Sequence, residues 1–300
     1  MTATARTPII DAHQHFWNLD RVAYPWLTPD QGPIHRTFEE PDLQPHLDAC
    51  GVDGTVLVQS ADSYEDTDYM LEVADRWPRV RAVVGWVPLL RPDEAARALD
   101  RYRRDPRYAG VRHLIHDEPD PDWLLRPELR DGLDALAERG LTFDVVAVRP
   151  RHLEHVPVLA ERHPGLRLVI DHLAKPPIKE RGRRPWADLL ADAAAFPNVS
   201  SKVSGLNTAA DWETWTAADL RPYVEHALEL FGADRLMFGG DWPISVLAGG
   251  YRKVWDETAG LLDGLALTPA DRARLLGGTA IDVYRIPEPH EKPERGPTHA

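Results

Sequence analysis

Two histidines separated by a single residue, His13 and His15, follow the apolar run Pro8-Ile9-Ile10. Alternate side chains of a strand share a face, so the two imidazoles point the same way. Val169-Ile170-Asp171-His172 brings a third histidine to the end of a second apolar run, and Arg235-Leu236-Met237-Phe238-Gly239-Gly240-Asp241 brings a carboxylate to the end of a third. Three imidazoles and a carboxylate are the ligand set of a borderline divalent ion such as zinc. They also suit ester hydrolysis, which needs a nucleophilic water, a base for its proton and positive charge for the oxyanion. Asp241 is the expected base. A metal on His13 and His15 would acidify the water and polarise the carbonyl. Without a metal, the histidines and Arg112 must supply that polarisation.

Other residues have weaker claims. Arg112 and Lys202 each lie inside a strand-like apolar run, where an unpaired charge is costly. Arg112 therefore needs either an anionic partner, such as Asp144, or a polar pocket. Lys202 and Lys175 are candidates for contact with substrate hydroxyls or an oxyanion. His113 and His116 either line the rim or pack. Ten tryptophans are many for this length. Most are expected in the core, but Trp26 and Trp242 are candidates to stack on the C–H face of an oxygen-rich ring.

These groups need a scaffold that gathers strand ends. Eight apolar runs read as strands: Ile9–Trp17, Gly54–Ser60, Arg81–Leu89, Gly110–Ile115, Thr142–Val148, Arg167–Ala174, Val199–Gly205 and Arg235–Pro243. Most are continuous rather than alternating, as for parallel strands covered on both faces. Helical stripes fill the gaps, for example Leu129, Leu133, Leu136 and Ala137 before Gly140, and Leu220, Val224, Ala227, Leu228 and Phe231 before Gly232. Strand and helix alternating eight times predict an α/β chain folded as a single (β/α)₈ TIM barrel, with catalytic groups at the C-terminal strand ends. The barrel is expected over 9–286, after an N-terminal tail at 1–8 and before a polar, proline-rich, disordered tail at 287–300. Asn18–Glu39 is a long connection expected to lie over the barrel mouth.

Composition narrows the function. The net charge of −13 disfavours nucleic acid and anionic membranes as partners. One cysteine, Cys50, rules out an intrachain disulfide. No run approaches a membrane span and Met1–Thr7 has no apolar segment, so a cytoplasmic location is expected. No glycine-rich phosphate loop follows a strand.

The ordered motifs Asp-x-His-x-His-x-Trp, Val-Ile-Asp-His-Leu-Ala-Lys-Pro and Phe-Gly-Gly-Asp-Trp-Pro resemble the amidohydrolase-2 branch of the amidohydrolase superfamily. Tyr24-Pro25-Trp26-Leu27, Val58-Gln59-Ser60, Gly85-Trp86-Val87-Pro88-Leu89 and Gly110-Val111-Arg112-His113 are similar to its sugar-lactonase group, which includes L-fuconolactonase and L-rhamnonolactonase. The resemblance implies His13, His15 and His172 as metal-facing residues and Asp241 as a metal-facing acid/base, with His172 and Arg112 assisting catalysis. Many superfamily members bridge two metals with a carboxylated lysine on the fourth strand. That strand here carries Arg112 and no lysine, which implies at most one divalent ion, with zinc the best match and a metal-free mechanism the alternative. The implied substrate is a small sugar lactone, opened to the aldonic acid. A metal-dependent decarboxylase and a catalytically silent sugar-binding barrel are the competing functions. Oligomeric state is left open.

Overall fold

The computed structural model describes residues 6–287. Residues 1–5 and 288–300, with most of the expected tail, lie outside the described residues. Eight parallel strands run in sequence order: β1 Ile10–Gln14, β2 Gly54–Val58, β3 Val80–Gly85, β4 Tyr108–His113, β5 Thr142–Val145, β6 Arg167–Ile170, β7 Val199–Val203 and β8 Leu236–Phe238. Each is followed by a major helix: α1 Glu40–Cys50, α2 Tyr64–Arg76, α3 Pro92–Tyr102, α4 Pro127–Glu138, α5 Pro150–Arg162, α6 Trp186–Ala194, α7 Ala217–Phe231 and α8 Gly250–Asp263. This is the expected TIM barrel. Two short helices, α9 Pro269–Ala273 and α10 Thr279–Val283, end the fold.

Burial explains the continuous apolar runs. Side chains facing outward from the strands, among them Leu57, Val83, Val111 and Phe143, join the helices in one large core. Inward-facing side chains are smaller, including Ala12, Val56, Ala82, Val84 and Val169. They form a second cluster that is closed from below by Ala280, Tyr284 and Ile286. Small residues suit the narrow interior of an eight-stranded barrel.

The seam between first and last strands closes at the mouth. Asp241 N donates to His13 O and His15 N donates to Trp242 O, both at 2.8 Å. Buried Asp11 reinforces the seam, because its Oδ1 accepts from Gly240 N at 2.9 Å and from His13 N at 3.0 Å. The long connection is pinned at its base, where Trp17 and Phe38 exchange backbone hydrogen bonds of 3.1 and 2.9 Å. No helix among the described residues is long and apolar enough to cross a membrane.

Candidate active site

His13 lies within β1 and His15 one residue beyond it. His172 and Asp241 follow the ends of β6 and β8 by two and three residues. All four therefore stand at the C-terminal mouth. The local backbone is unusual. His172, Leu173, Ala174 and Lys175 form a left-handed turn with φ of 56°, 50°, 58° and 50°, and Asp241 has φ 49°. Side chains with a Cβ resist this region by roughly 1–2 kcal/mol each. Such strain concentrates at sites where side-chain placement outweighs backbone preference, and here the turn carries both His172 and Lys175 into the cavity wall.

Three potential ligand atoms converge at the centre. His13 Nε2 is 3.1 Å from His15 Nε2. Asp241 Oδ1 is 3.5 Å from His15 Nε2 and 3.7 Å from His13 Nε2. His15 Nδ1 donates to Val58 O at 2.8 Å, which leaves its Nε2 as an acceptor. His13 Nδ1 lies between Asp171 Oδ1 at 3.2 Å and the Lys202 ammonium at 3.1 Å. Two ligands at zinc–nitrogen distance in a tetrahedron stand about 3.3 Å apart, and the three observed separations bracket that value. His172 completes the set: ligand atoms of His13, His172 and Asp241 all lie within 4.8 Å of one another. The donor set thus fits one ion. Arg112 Nη1, 3.3 Å from His13 Nε2, already sets one cation beside the cluster, which disfavours a second.

Below the mouth lies a buried charge network. Lys202 Nζ is 2.6 Å from Asp144 Oδ2, 3.0 Å from Asp171 Oδ1 and 3.1 Å from His13 Nδ1. Arg112 Nη1 is 3.0 Å from Asp171 Oδ2. Tyr284, directly after α10, donates to Asp144 Oδ2 at 2.7 Å. Burial pushes the Asp171 carboxyl up, but Lys202, His13 and Arg112 outweigh it and hold it well below its usual range. Burial holds the His13 and His172 imidazoles well below theirs, against the pull of Asp171 and Asp241 respectively. Burial also raises the Asp241 carboxyl, yet the His172, His15 and Lys175 side chains bring it below the usual value. Burial thus favours the uncharged form of the imidazoles, and the neighbours of Asp241 favour its ionised form.

The cavity above has an empty volume of about 620 Å³, including open solvent at its mouth. His15, Arg112, His172, Lys175, Asp241 and Trp26 line it. Three expected residues do not. Lys202 is fully buried in the barrel floor and meets only the charge network. Trp242 packs edge-on against Phe16 and Phe38. His113 is turned behind the wall, stacked on Trp123 and bonded to Trp86 and Glu118. The structure thus corrects the expectation that these three touch substrate. Arg112 pairs with Asp171 rather than with Asp144, and it still reaches the cavity. His116, a rim candidate from the sequence, does line the wall, and residues beyond the expected set, notably Ser60 and Trp17, line it too. The long connection covers this side, where Trp26 Nε1 donates to Ser60 O at 2.7 Å.

Residues 10–286 match the amidohydrolase family. The chain belongs to it. It is 42% identical to an L-fucono-1,5-lactonase of Burkholderia ambifaria, over 93% of this chain and 96% of that protein. A second L-fucono-1,5-lactonase, from Burkholderia multivorans, is 36% identical over 93% of this chain and 97% of its own length. Among solved structures, an amidohydrolase from Burkholderia multivorans with bound zinc superposes with a TM-score of 0.86 at 33% identity, covering 93% of this chain and 100% of that one.

Proposed function

We propose that this amidohydrolase opens a sugar-derived 1,5-lactone to its aldonic acid. The observation that carries the reading is Asp241, a buried carboxylate at the wall of a cavity shared with Arg112 and Lys175. The likeness to two L-fucono-1,5-lactonases supports the substrate class. His13, His15 and Asp241, with His172 beside them, would hold one divalent ion, and the zinc in the related amidohydrolase structure supports zinc. Bound there, the ion would polarise the lactone carbonyl and acidify the attacking water.

The chain's own residues do the rest. Asp241 takes the proton of the attacking water at its carboxylate. Lys175 Nζ, held by Gly205 O at 3.0 Å and Thr208 Oγ1 at 2.8 Å, presents positive charge beside the reacting carbonyl. Arg112 adds a fixed guanidinium, oriented by Asp171 and by Gln59 Oε1 at 3.1 Å. The proton on Asp241 then passes to the leaving ring oxygen, which becomes a hydroxyl of the product. Trp26, partly exposed at the cavity wall and held by its indole N–H bond to Ser60 O, offers a ring face to the sugar.

A decarboxylase reading has less support. A 5-carboxyvanillate decarboxylase of Sphingomonas paucimobilis shares the fold at 15% identity, with a TM-score of 0.65. Arg112 is the single arginine in the cavity wall among the described residues, and it is committed to Asp171. Proton release measured with a pH indicator across a panel of aldonolactones tests the proposal. Hydrolysis of one or more, abolished in Asp241→Asn, is expected; no hydrolysis alongside decarboxylation of an aromatic acid would overturn it. We place the catalytic unit at 9–286 and the enzyme in the cytoplasm, with which its single, buried cysteine is compatible.

A further inference from the structure

A second cavity adjoins the first. It lies between the start of α5 and the start of α6, with an empty volume of about 690 Å³ including open solvent. Val148 and Lys175 line both cavities. The left-handed turn is a shared wall: His172 and Lys175 line the first cavity, and Ala174 and Lys175 the second.

The two cavities differ in charge. The first sets Asp241 among its cations. The second is lined by Arg149, Lys175 and Arg184, and by no carboxylate among the described residues. Trp186 and Leu189 give it an apolar side. Two of its cations make no ion pair among the described residues. Arg149 Nη2 donates to His116 O at 3.3 Å, and Lys175 Nζ is held by a carbonyl and a hydroxyl. Arg184 Nε faces Asp188 Oδ2 at 3.3 Å, but both side chains are exposed and water screens such a pair. Three cations around one cavity, in a chain of net charge −13, create a local field that draws anions.

Lactone hydrolysis makes an anion at this boundary. Water adds to the carbonyl carbon, the bond from that carbon to the ring oxygen breaks, and the ring oxygen leaves as a hydroxyl. The new carboxylic acid sheds its proton, so a neutral ring enters and an open-chain carboxylate and one proton leave. The carboxylate forms beside Lys175 and near Asp241, which is a carboxylate again once its proton has gone to the ring oxygen. Two like charges in a small buried space repel. Lys175 offers the same ammonium to the second cavity, where no carboxylate stands in the wall.

We propose that the second cavity is a product subsite: the aldonate carboxylate passes from Lys175 to Arg149 and Arg184 as it leaves, and the neutral lactone uses neither arginine. This rests on the lactonase reading and adds to it the route by which the new charge departs. Titration calorimetry of L-fuconate tests it, with L-fucitol, which has a hydroxymethyl in place of the carboxylate, as the neutral control. The fuconate Kd should rise roughly threefold in Arg149→Gln and in Arg184→Gln, and about tenfold in the double variant. In the wild type it should also rise with ionic strength. Any fucitol binding, and kcat/KM on L-fucono-1,5-lactone, should stay within about twofold of wild type in every variant. Arg184→Gln is the cleaner arm, because Arg184 lines the second cavity and not the first. No fuconate binding, a double-variant Kd within twofold of wild type, or an equal loss for fuconate and fucitol would overturn the inference and leave the lactonase reading standing. If the wild type hydrolyses no lactone, the lactonase reading falls and takes the inference with it.

Discussion

Lys202 Nζ sits 2.6 Å from Asp144 Oδ2 with both side chains sealed from solvent. The pair joins β7 to β5 across the barrel interior, and Asp171 and Tyr284 complete it from either side. Lys202→Met would leave buried carboxylates without their ammonium. We predict a loss of about 3–5 kcal/mol in unfolding free energy, as for other broken buried pairs. Lys202→Met combined with Asp144→Asn should recover part of it. Urea denaturation of both variants decides the matter, and a single variant as stable as wild type would show that the pair contributes nothing.

Asp241→Asn keeps the shape of the acceptor cluster and removes its base. Turnover on the best lactone should fall on the order of 10²–10⁴-fold, with circular dichroism unchanged. A variant turning over within threefold of wild type would remove Asp241 from its role.

The convergent ligand atoms of His13, His15, His172 and Asp241 predict one zinc equivalent per chain. Stripping it with a chelator should lower the melting temperature, because an ion bound only by the folded state stabilises that state. Zinc added back should restore it. His15→Ala should abolish the zinc-dependent increment, a readout independent of catalysis. Two equivalents by elemental analysis, or an increment untouched in His15→Ala, would contradict the assignment.

Asp66 predicts a pH dependence. Its carboxylate accepts from Ser60 N, Ala61 N and Tyr24 OH, yet complete burial pushes it up from 3.8 to about 6. A raised acid favours the folded state while it is protonated. Its contribution is thus full below 3.8 and fades as pH rises through about 6. Relative to Asp66→Asn, the wild type should lose about 1 kcal/mol of stability between pH 5 and pH 8. Parallel stability curves for the two proteins over that interval would refute the shift.

The barrel was legible from its eight apolar runs because both sheet faces are buried, which leaves strands that stand out from the amphipathic helices. His13, His15, His172 and Asp241 were legible because each follows or ends such a run. Depth within the barrel was not. Lys202 lies inside β7, below the mouth, and its side chain is spent on the charge network of the barrel floor rather than aimed at the cavity. Trp242 adjoins Asp241 in sequence, but the positive φ at Asp241 turns the chain so that the indole packs away from the site. Nothing in Asp-His-Leu-Ala-Lys announces a left-handed turn, since such turns usually recruit glycine. Ser60 carries no signal by type; only its backbone, pinned by Asp66 and Trp26, distinguishes it.

The seam that joins β1 to the end of β8 runs through His13, His15 and Asp241 themselves. A ribosome releases the two histidines first and the carboxylate more than two hundred residues later, a delay of roughly 10–45 s at ordinary synthesis rates. Until then the nascent chain holds loose imidazoles and no centre. Closing the ring and assembling the centre are one event, so no partly wound chain can be a partly competent catalyst. Activity per mole of protein therefore doubles as a census of closed rings.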